Sequence, residues 1–231
     1  MNYKYLKTNY ENLLSNVNQI CTETGRNFND ITIVAISKTF PVENIKMLYE
    51  LGHIHFGENK VQELKEKYQN LTDTNIKWHL VGHLQTNKVK YIVPFITLIH
   101  SVDNIKLALE INKQAQKLNR TIDILVQVNT SDEPQKSGIT PSETKSLCKE
   151  ISKLEYLRLK GLMTIGMFTD NEAIIRDNFR TLANLYKDLE TEFKDFRYLS
   201  MGMTSDYRIA IEEGANILRI GSAIFGERSY H

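Results

Sequence analysis

The chain has 231 residues, 41% hydrophobic and 25% charged, with a formal net charge of +1; this is ordinary globular composition with room for a full core, and it makes no case for nucleic acid or an anionic membrane as the main partner. Its two cysteines, Cys21 and Cys148, sit in separate helix-like stretches away from any ligand cluster, which argues against a disulfide framework and a zinc site. The opening MNYKYLKTNYENLL lacks the apolar core of a signal peptide and no run approaches bilayer-spanning length, so a cytoplasmic protein is expected.

In chain order, the first segment, Leu6–Thr24, carries Leu6, Tyr10, Leu13, Val17 and Ile20 at helical spacing. It reads as an N-terminal helix over about residues 2–24 that plugs or flanks a barrel floor. Short runs rich in Ile, Val, Leu and Phe then alternate with amphipathic, charged stretches. The runs are Ile31–Lys38, His53–Asn59, Lys77–Gly82, Thr97–Asp103, Ile122–Thr130, Leu159–Ile165, Tyr198–Gly202 and Ile217–Phe225. Between them lie helical patterns at Val42–Leu51, Lys60–Asn70, Asn104–Asn119, Pro141–Lys153, Glu172–Phe193 and Ser205–Glu213. Thr140-Pro141-Ser142-Glu143 reads as a helix cap followed by Pro and then an acid. Strands alternating with helices imply βαβ units and a parallel sheet. Eight strands with no spare segment predict an α/β fold, a single (β/α)8 TIM barrel over residues 1–231.

In such a barrel, reactive residues gather at the carboxyl ends of the strands. Lys38 closes the buried run ITIVAI, where lost hydration and neighbouring cations favour the neutral amine that attacks an aldehyde; the ordinary reading is a lysine reaching into solvent. The turns YLSMGMTSD and LRIGSAIFG follow the last two strands, where barrels often hold phosphate. Gly202, Gly221, Ser200 and Ser222 suit that task, although the glycines could serve only as tight turns. Arg219 at an interior position needs an acid, an acceptor or a ligand. Asn59 and His79 could line the mouth, though His79 alone is more often a hydrogen-bonded core histidine. His83, Gln85 and Asn87 follow in a polar loop, and Ser131–Gly138 reads as a loop able to move.

AISKTFP, HFGENKVQE, WHLVGHLQTNK, QVNTSDEPQKSGI, KGLMTI and YLSMGMTSDYRIAIEEGANILRIGSAIFGER, in order from about Ile31 to Arg228, resemble the pyridoxal phosphate homeostasis protein family. The resemblance implies the fold of the barrel domain of bacterial alanine racemase and binding of pyridoxal 5′-phosphate. It makes Lys38 the Schiff-base lysine, places Ser200 and Gly221-Ser222 at the phosphate, turns Arg219 to the pyridine nitrogen and sets Asn59 beside the ring. Lys136 matches a family lysine outside the Schiff-base position, and Phe40 stands where many members carry a second lysine.

The residues also bear on catalysis. Arginine cannot accept a proton, so with Arg219 there the ring nitrogen stays unprotonated and a carbanion is stabilised less well. Racemases of this fold tolerate that arginine but add an opposed tyrosine from a second domain; this chain ends at GERSYH soon after its eighth strand, and Tyr230 is a poor substitute. The resemblance therefore implies a non-catalytic, monomeric carrier that regulates free cofactor and its delivery to apo-enzymes. A weak amino-acid racemase is the alternative, and a phosphosugar-type aldolase using Lys38 stands third.

Overall fold

The computed structural model describes residues 4–131, 133 and 136–226. Eight parallel strands close into a barrel in sequence order: β1 Thr32–Ile36, β2 His55–Glu58, β3 Lys77–Leu80, β4 Leu98–Val102, β5 Ile122–Gln127, β6 Leu157–Met163, β7 Tyr198–Ser200 and β8 Ile217–Ile220. The outer helices are α1 Lys4–Glu23, α2 Val42–Glu50, α3 Val61–Gln69, α4 Ile105–Lys117, α5 Pro141–Ile151, α6 Glu172–Leu189, α7 Tyr207–Glu212 and α8 Ser222–Phe225. Strand residues alternate between two apolar environments, as a parallel sheet covered on both faces requires. Ile33 and Ala35 join the large core beneath the helices, whereas Val34 and Ile36 meet Leu98, Leu125, Met163 and Ile217 inside the barrel.

Local signals account for several helix starts. Asn104 accepts the Leu107 N–H at the head of α4, and Asn171 accepts those of Ala173 and Ile174 at the head of α6. Pro141 opens α5 as expected, but Thr140 does not cap it: its hydroxyl donates to the Glu143 carboxylate instead.

The structure differs from, or sharpens, four expectations. The strands stop one to three residues short of several predicted ends, where loops at the mouth begin. The run Ile217–Phe225 splits at Gly221, whose backbone (φ −110°, ψ −83°) ends β8 and starts α8. Of the two expected placements the first helix flanks the barrel and does not plug it: α1 packs on the outside against α2, α7, α8 and the 3-10 turn Phe28–Asp30. There it fills the ring position that a full-length helix after β8 would occupy, since α8 has only four residues. Asn9 Nδ2 donates to Ile224 O at one end of α1, and Arg26 Nη1 donates to Ile211 O and Ala215 O past the other. The polar stretch after β3 is also more ordered than its sequence implies, with a 3-10 helix at Thr86–Tyr91.

Gly161 marks the closest backbone approach in the barrel wall. It has φ +149°, and a Cβ there would lie 1.8 Å from Tyr198 O across the β6–β7 ladder. Gly161→Ala is expected to cost about 3 kcal/mol or more by combining backbone strain with a forced strand separation. Urea unfolding checks this; a loss below about 1 kcal/mol would show that the strands part easily.

Candidate functional site

Val34 and Ile36 face the barrel interior, and Lys38, two residues on, continues that phase past the end of β1. The turn carrying it is tight. Phe40 N–H donates to Ser37 O at 3.0 Å, and Thr39 adopts φ +71°, a left-handed conformation that costs a non-glycine residue about 1–2 kcal/mol. The strain is held from outside the barrel. Thr39 N–H donates to Glu63 Oε2 at 2.9 Å, and Lys67 Nζ donates to Ser37 O and Glu58 Oε1, both at 2.7 Å. Ser37 Oγ donates to the same Glu58 oxygen at 2.6 Å. Glu58 and Ser37 are wholly buried. Burial pushes the Glu58 carboxyl up, while the Lys67 ammonium and the Ser37 hydroxyl pull it back down. The Phe40 ring stacks on Phe225 of α8 with centroids 4.9 Å apart. Phe40 is thus an apolar anchor for the turn.

Asn59 occupies the equivalent inward phase after β2. Its backbone lies so close to Gly82 that a Cβ on Gly82 would meet Asn59 O at 2.2 Å. The Asn59 amide oxygen is buried and has no protein partner. A buried acceptor left unbonded costs about 1–3 kcal/mol, so it is a place for a donor from a ligand.

One layer below the mouth, the interior is polar. Arg219 on β8 is 4% exposed; its Nη1 donates to Ser200 Oγ at 2.8 Å and its Nη2 to Thr164 O at 2.7 Å. Burial lowers its pKa to about 10, opposed by the Asp206 carboxylate, so it remains charged at neutral pH. Ser200 Oγ also meets His100 Nδ1 at 2.9 Å, His100 Nε2 meets His79 Nδ1 at 2.9 Å, and His79 Nε2 meets His55 Nδ1 at 3.0 Å. Burial depresses the pKa of every one of these rings, to about 4 at His55 and well below the usual value at His79 and His100.

The two glycine turns divide their roles. Gly202 has φ +92°, and a Cβ there would strike the Ala210 Cβ at 2.5 Å, so it is needed for packing against α7. Gly221 leaves ordinary room, its would-be Cβ lying 3.7 Å from Ile36 O. Thr204 Oγ1 accepts the Ala223 N–H at 3.2 Å and ties the turn after β7 to the Gly221–Ser222 turn. Lys136 lies after β5 on another side of the mouth, where it pairs with Glu133 and donates to Gly166 O. Beside it is a cavity of about 160 Å³ that also touches Val81, His83, Gln127 and Ile165.

The strand ends therefore bring Lys38, Asn59, Gly202, Gly221 and Ser222 to one face of the barrel. Arg219, Ser200 and His79 form a connected layer beneath. The Ser200 hydroxyl is committed to Arg219 and His100, and Thr204, which the sequence reading passed over, is the hydroxyl that joins the two turns. His55, His100 and Thr164 were missed as well. Their signal was strand alternation: residues 55, 79 and 100 fall on the inner phase of β2, β3 and β4. The Glu58–Lys67 pair had none, because its partners lie on a strand and the following helix. Tyr230 lies outside the described residues. Among the described residues, no cluster of His, Cys, Asp and Glu could hold a metal ion, and no helix is long and apolar enough to cross a membrane.

The model of the alanine racemase N-terminal domain family matches residues 8–229. A pyridoxal phosphate homeostasis protein of Aquifex aeolicus is 42% identical over 219 residues, covering 94% of this chain and 96% of that protein. A solved structure of an unknown protein from Bifidobacterium adolescentis superposes with a TM-score of 0.92 at 32% identity, covering 96% and 95% of the two chains. PipY of Synechococcus elongatus, solved with PLP bound, superposes with a TM-score of 0.80 at 31% identity, covering 91% and 99%.

Two outcomes follow from the charges. Lys67→Met strands the Glu58 carboxylate and is expected to cost about 3–5 kcal/mol, whereas adding Glu58→Leu to it should recover most of that loss. Equal instability of single and double variants in urea melts would show that packing, and not charge, governs the site. His53 is buried on its Tyr10 and His55 contacts, and its pKa falls from 6.5 to about 4. The folded protein therefore binds fewer protons than the unfolded chain. Stability from His53 is full above pH 6.5 and lost as pH drops toward 4, by about 3 kcal/mol. Melting curves of wild type and His53→Gln across that window should converge toward low pH.

Proposed function

This chain belongs to the pyridoxal phosphate homeostasis protein family, and on that premise we propose that it holds pyridoxal 5′-phosphate as a Schiff base on Lys38. The observation that carries the proposal is the Lys38 turn: an inward-phase lysine after β1, held in a strained conformation by Glu63 and Lys67. Strain retained by specific bonds at a strand end is characteristic of a binding site.

The other residues fit the cofactor's groups. The buried, unpartnered oxygen of Asn59 offers an acceptor at the mouth. The open Gly221–Ser222 turn, tied to Thr204, suits the phosphate. Arg219 is charged and, as the family resemblance implies, would face the ring nitrogen. When bound, the cofactor supplies a reactive aldehyde and an electron-withdrawing ring.

Arg219 could donate a hydrogen bond to that nitrogen but could not take up or share a carboxylate-style proton, which would leave the ring a weak electron sink. The carrier reading draws its support from the relatives' shared name, since racemases of this fold tolerate such an arginine. We read the protein as a monomeric, cytoplasmic participant in PLP homeostasis whose recipients are apo-enzymes that use the cofactor. The PLP-bound relative and the relatives' shared name support the binding and the homeostasis role.

The test is PLP titration, borohydride reduction and peptide mapping of the intact chain and Lys38→Ala. Label on Lys38 that disappears in the variant is the expected result. Label spread over surface lysines and unchanged in the variant would overturn the assignment. Racemisation of L-alanine by the loaded protein well above that of free PLP would instead favour the weak-racemase reading.

A further inference from the structure

Among the described residues Arg219 is a buried cation with no carboxylate in hydrogen-bond contact; its partners are a hydroxyl and a backbone carbonyl. The hydroxyl belongs to a continuous series: Arg219 Nη1, Ser200 Oγ, His100, His79 and His55, linked at 2.8, 2.9, 2.9 and 3.0 Å. It crosses the interior from β8 through β7 and β4 to β3 and β2.

Hydrogen-bond counting fixes its direction. Guanidinium only donates, so Ser200 Oγ accepts from Arg219. Ser200 is wholly buried, and its other recorded partner is His100 Nδ1, so its own hydrogen goes there. With Nδ1 accepting, neutral His100 carries its proton on Nε2 and donates to His79 Nδ1. His79 in turn carries its proton on Nε2 and donates to His55 Nδ1. The His55 Nε2–H is then left at the half-buried start of β2. Reversing the series would give Ser200 two donors and leave its own hydrogen without an acceptor in a buried position.

We propose that His55, His79, His100 and Ser200 form a polarised relay in which every dipole turns its negative end toward Arg219, standing in for a carboxylate counter-ion. His79 and His100 are thus positioning residues. They aim the Ser200 lone pair at the guanidinium and hold its charge without neutralising it. The consequence for the cofactor rests on the reading of Lys38 and Arg219 given above; the polarity itself does not.

The charged and titratable groups around the relay are consistent with neutral rings. Lys77 on β3 and His53 before β2 lie toward the His55 end, and Tyr10 of α1 bonds His53. Arg219 lies at the other end, with Asp206 beyond it at the head of α7. The cations at both ends disfavour a proton anywhere between them, so the rings stay neutral at pH 7.

The test is long-range 1H–15N correlation on the intact protein labelled with 15N-histidine, with and without PLP. Neutral Nε2–H tautomers are expected at both His79 and His100, and Ser200→Ala should mix the tautomers of His100. An Nδ1–H or doubly protonated ring at either position in the wild type overturns the proposal. The cofactor side is read from the pH midpoint of the bound cofactor's absorbance. His100→Leu should move it by about one pH unit, and His100→Asn, which still donates and accepts, by less. An unmoved midpoint in a folded His100→Leu overturns the positioning role. Loss of Lys38 labelling would overturn the cofactor assignment alone, since the tautomers are read without cofactor.

Discussion

The buried guanidinium of Arg219 sets terms that the barrel interior has to meet. A cation with 4% exposure must be surrounded by acceptors, and these come from the Thr164 carbonyl just past β6 and from Ser200 on β7. Thr164 is itself fixed by donating to Val128 O and by contact with Thr130. The polar requirement displaces aliphatic side chains that usually fill such barrels, which leaves the inner apolar cluster small. Most hydrophobic burial lies instead between strands and helices, where the larger core includes Phe56, Trp78, Leu80, Phe179 and Phe225.

Strand alternation divides the work around Lys38. Outward-phase Ser37 and Glu58 are bound into the helical layer by Lys67, while inward-phase Lys38 and Asn59 are left to the mouth. The lysine is therefore positioned by groups on the opposite side of the sheet from any ligand. Such an anchor can be rigid without obstructing the site, and Phe40 extends it to α8 by stacking on Phe225.

Much of this was legible in the sequence. Eight apolar runs separated by amphipathic stretches gave the closed parallel barrel, and a lysine ending the first run marked the mouth. The turn after β8 was visible through Gly221, but the helix following it was not, because Ala223, Ile224 and Phe225 prolong an apolar pattern that suits either state. Whether α1 plugs or flanks the barrel was left open for a related reason: its apolar stripe reveals that one face is buried without naming the surface that buries it. The site was legible where a residue's type was unusual for its place, as with Arg219 inside a strand. His100 escaped notice because one histidine in LIHSV carries little information until its partners on β3 and β7 are known. The ion pair of Glu58 with Lys67 depends on the packing angle of α3, which no local pattern records.

The placement of α1 gives the ring a seam. Its outer wall is completed by a helix from the beginning of the chain lying against one from the end, with Asn9 bonded to Ile224 across 215 positions. Every other neighbouring pair of strands is supplied by consecutive stretches of sequence, but β1 can meet β8 only after the whole barrel has been made. Closure is then the step of greatest loop entropy and the natural last event in folding. The fold has in effect a cyclic order written from an arbitrary starting point, and a gene that began at another loop and rejoined these ends would encode the same circle.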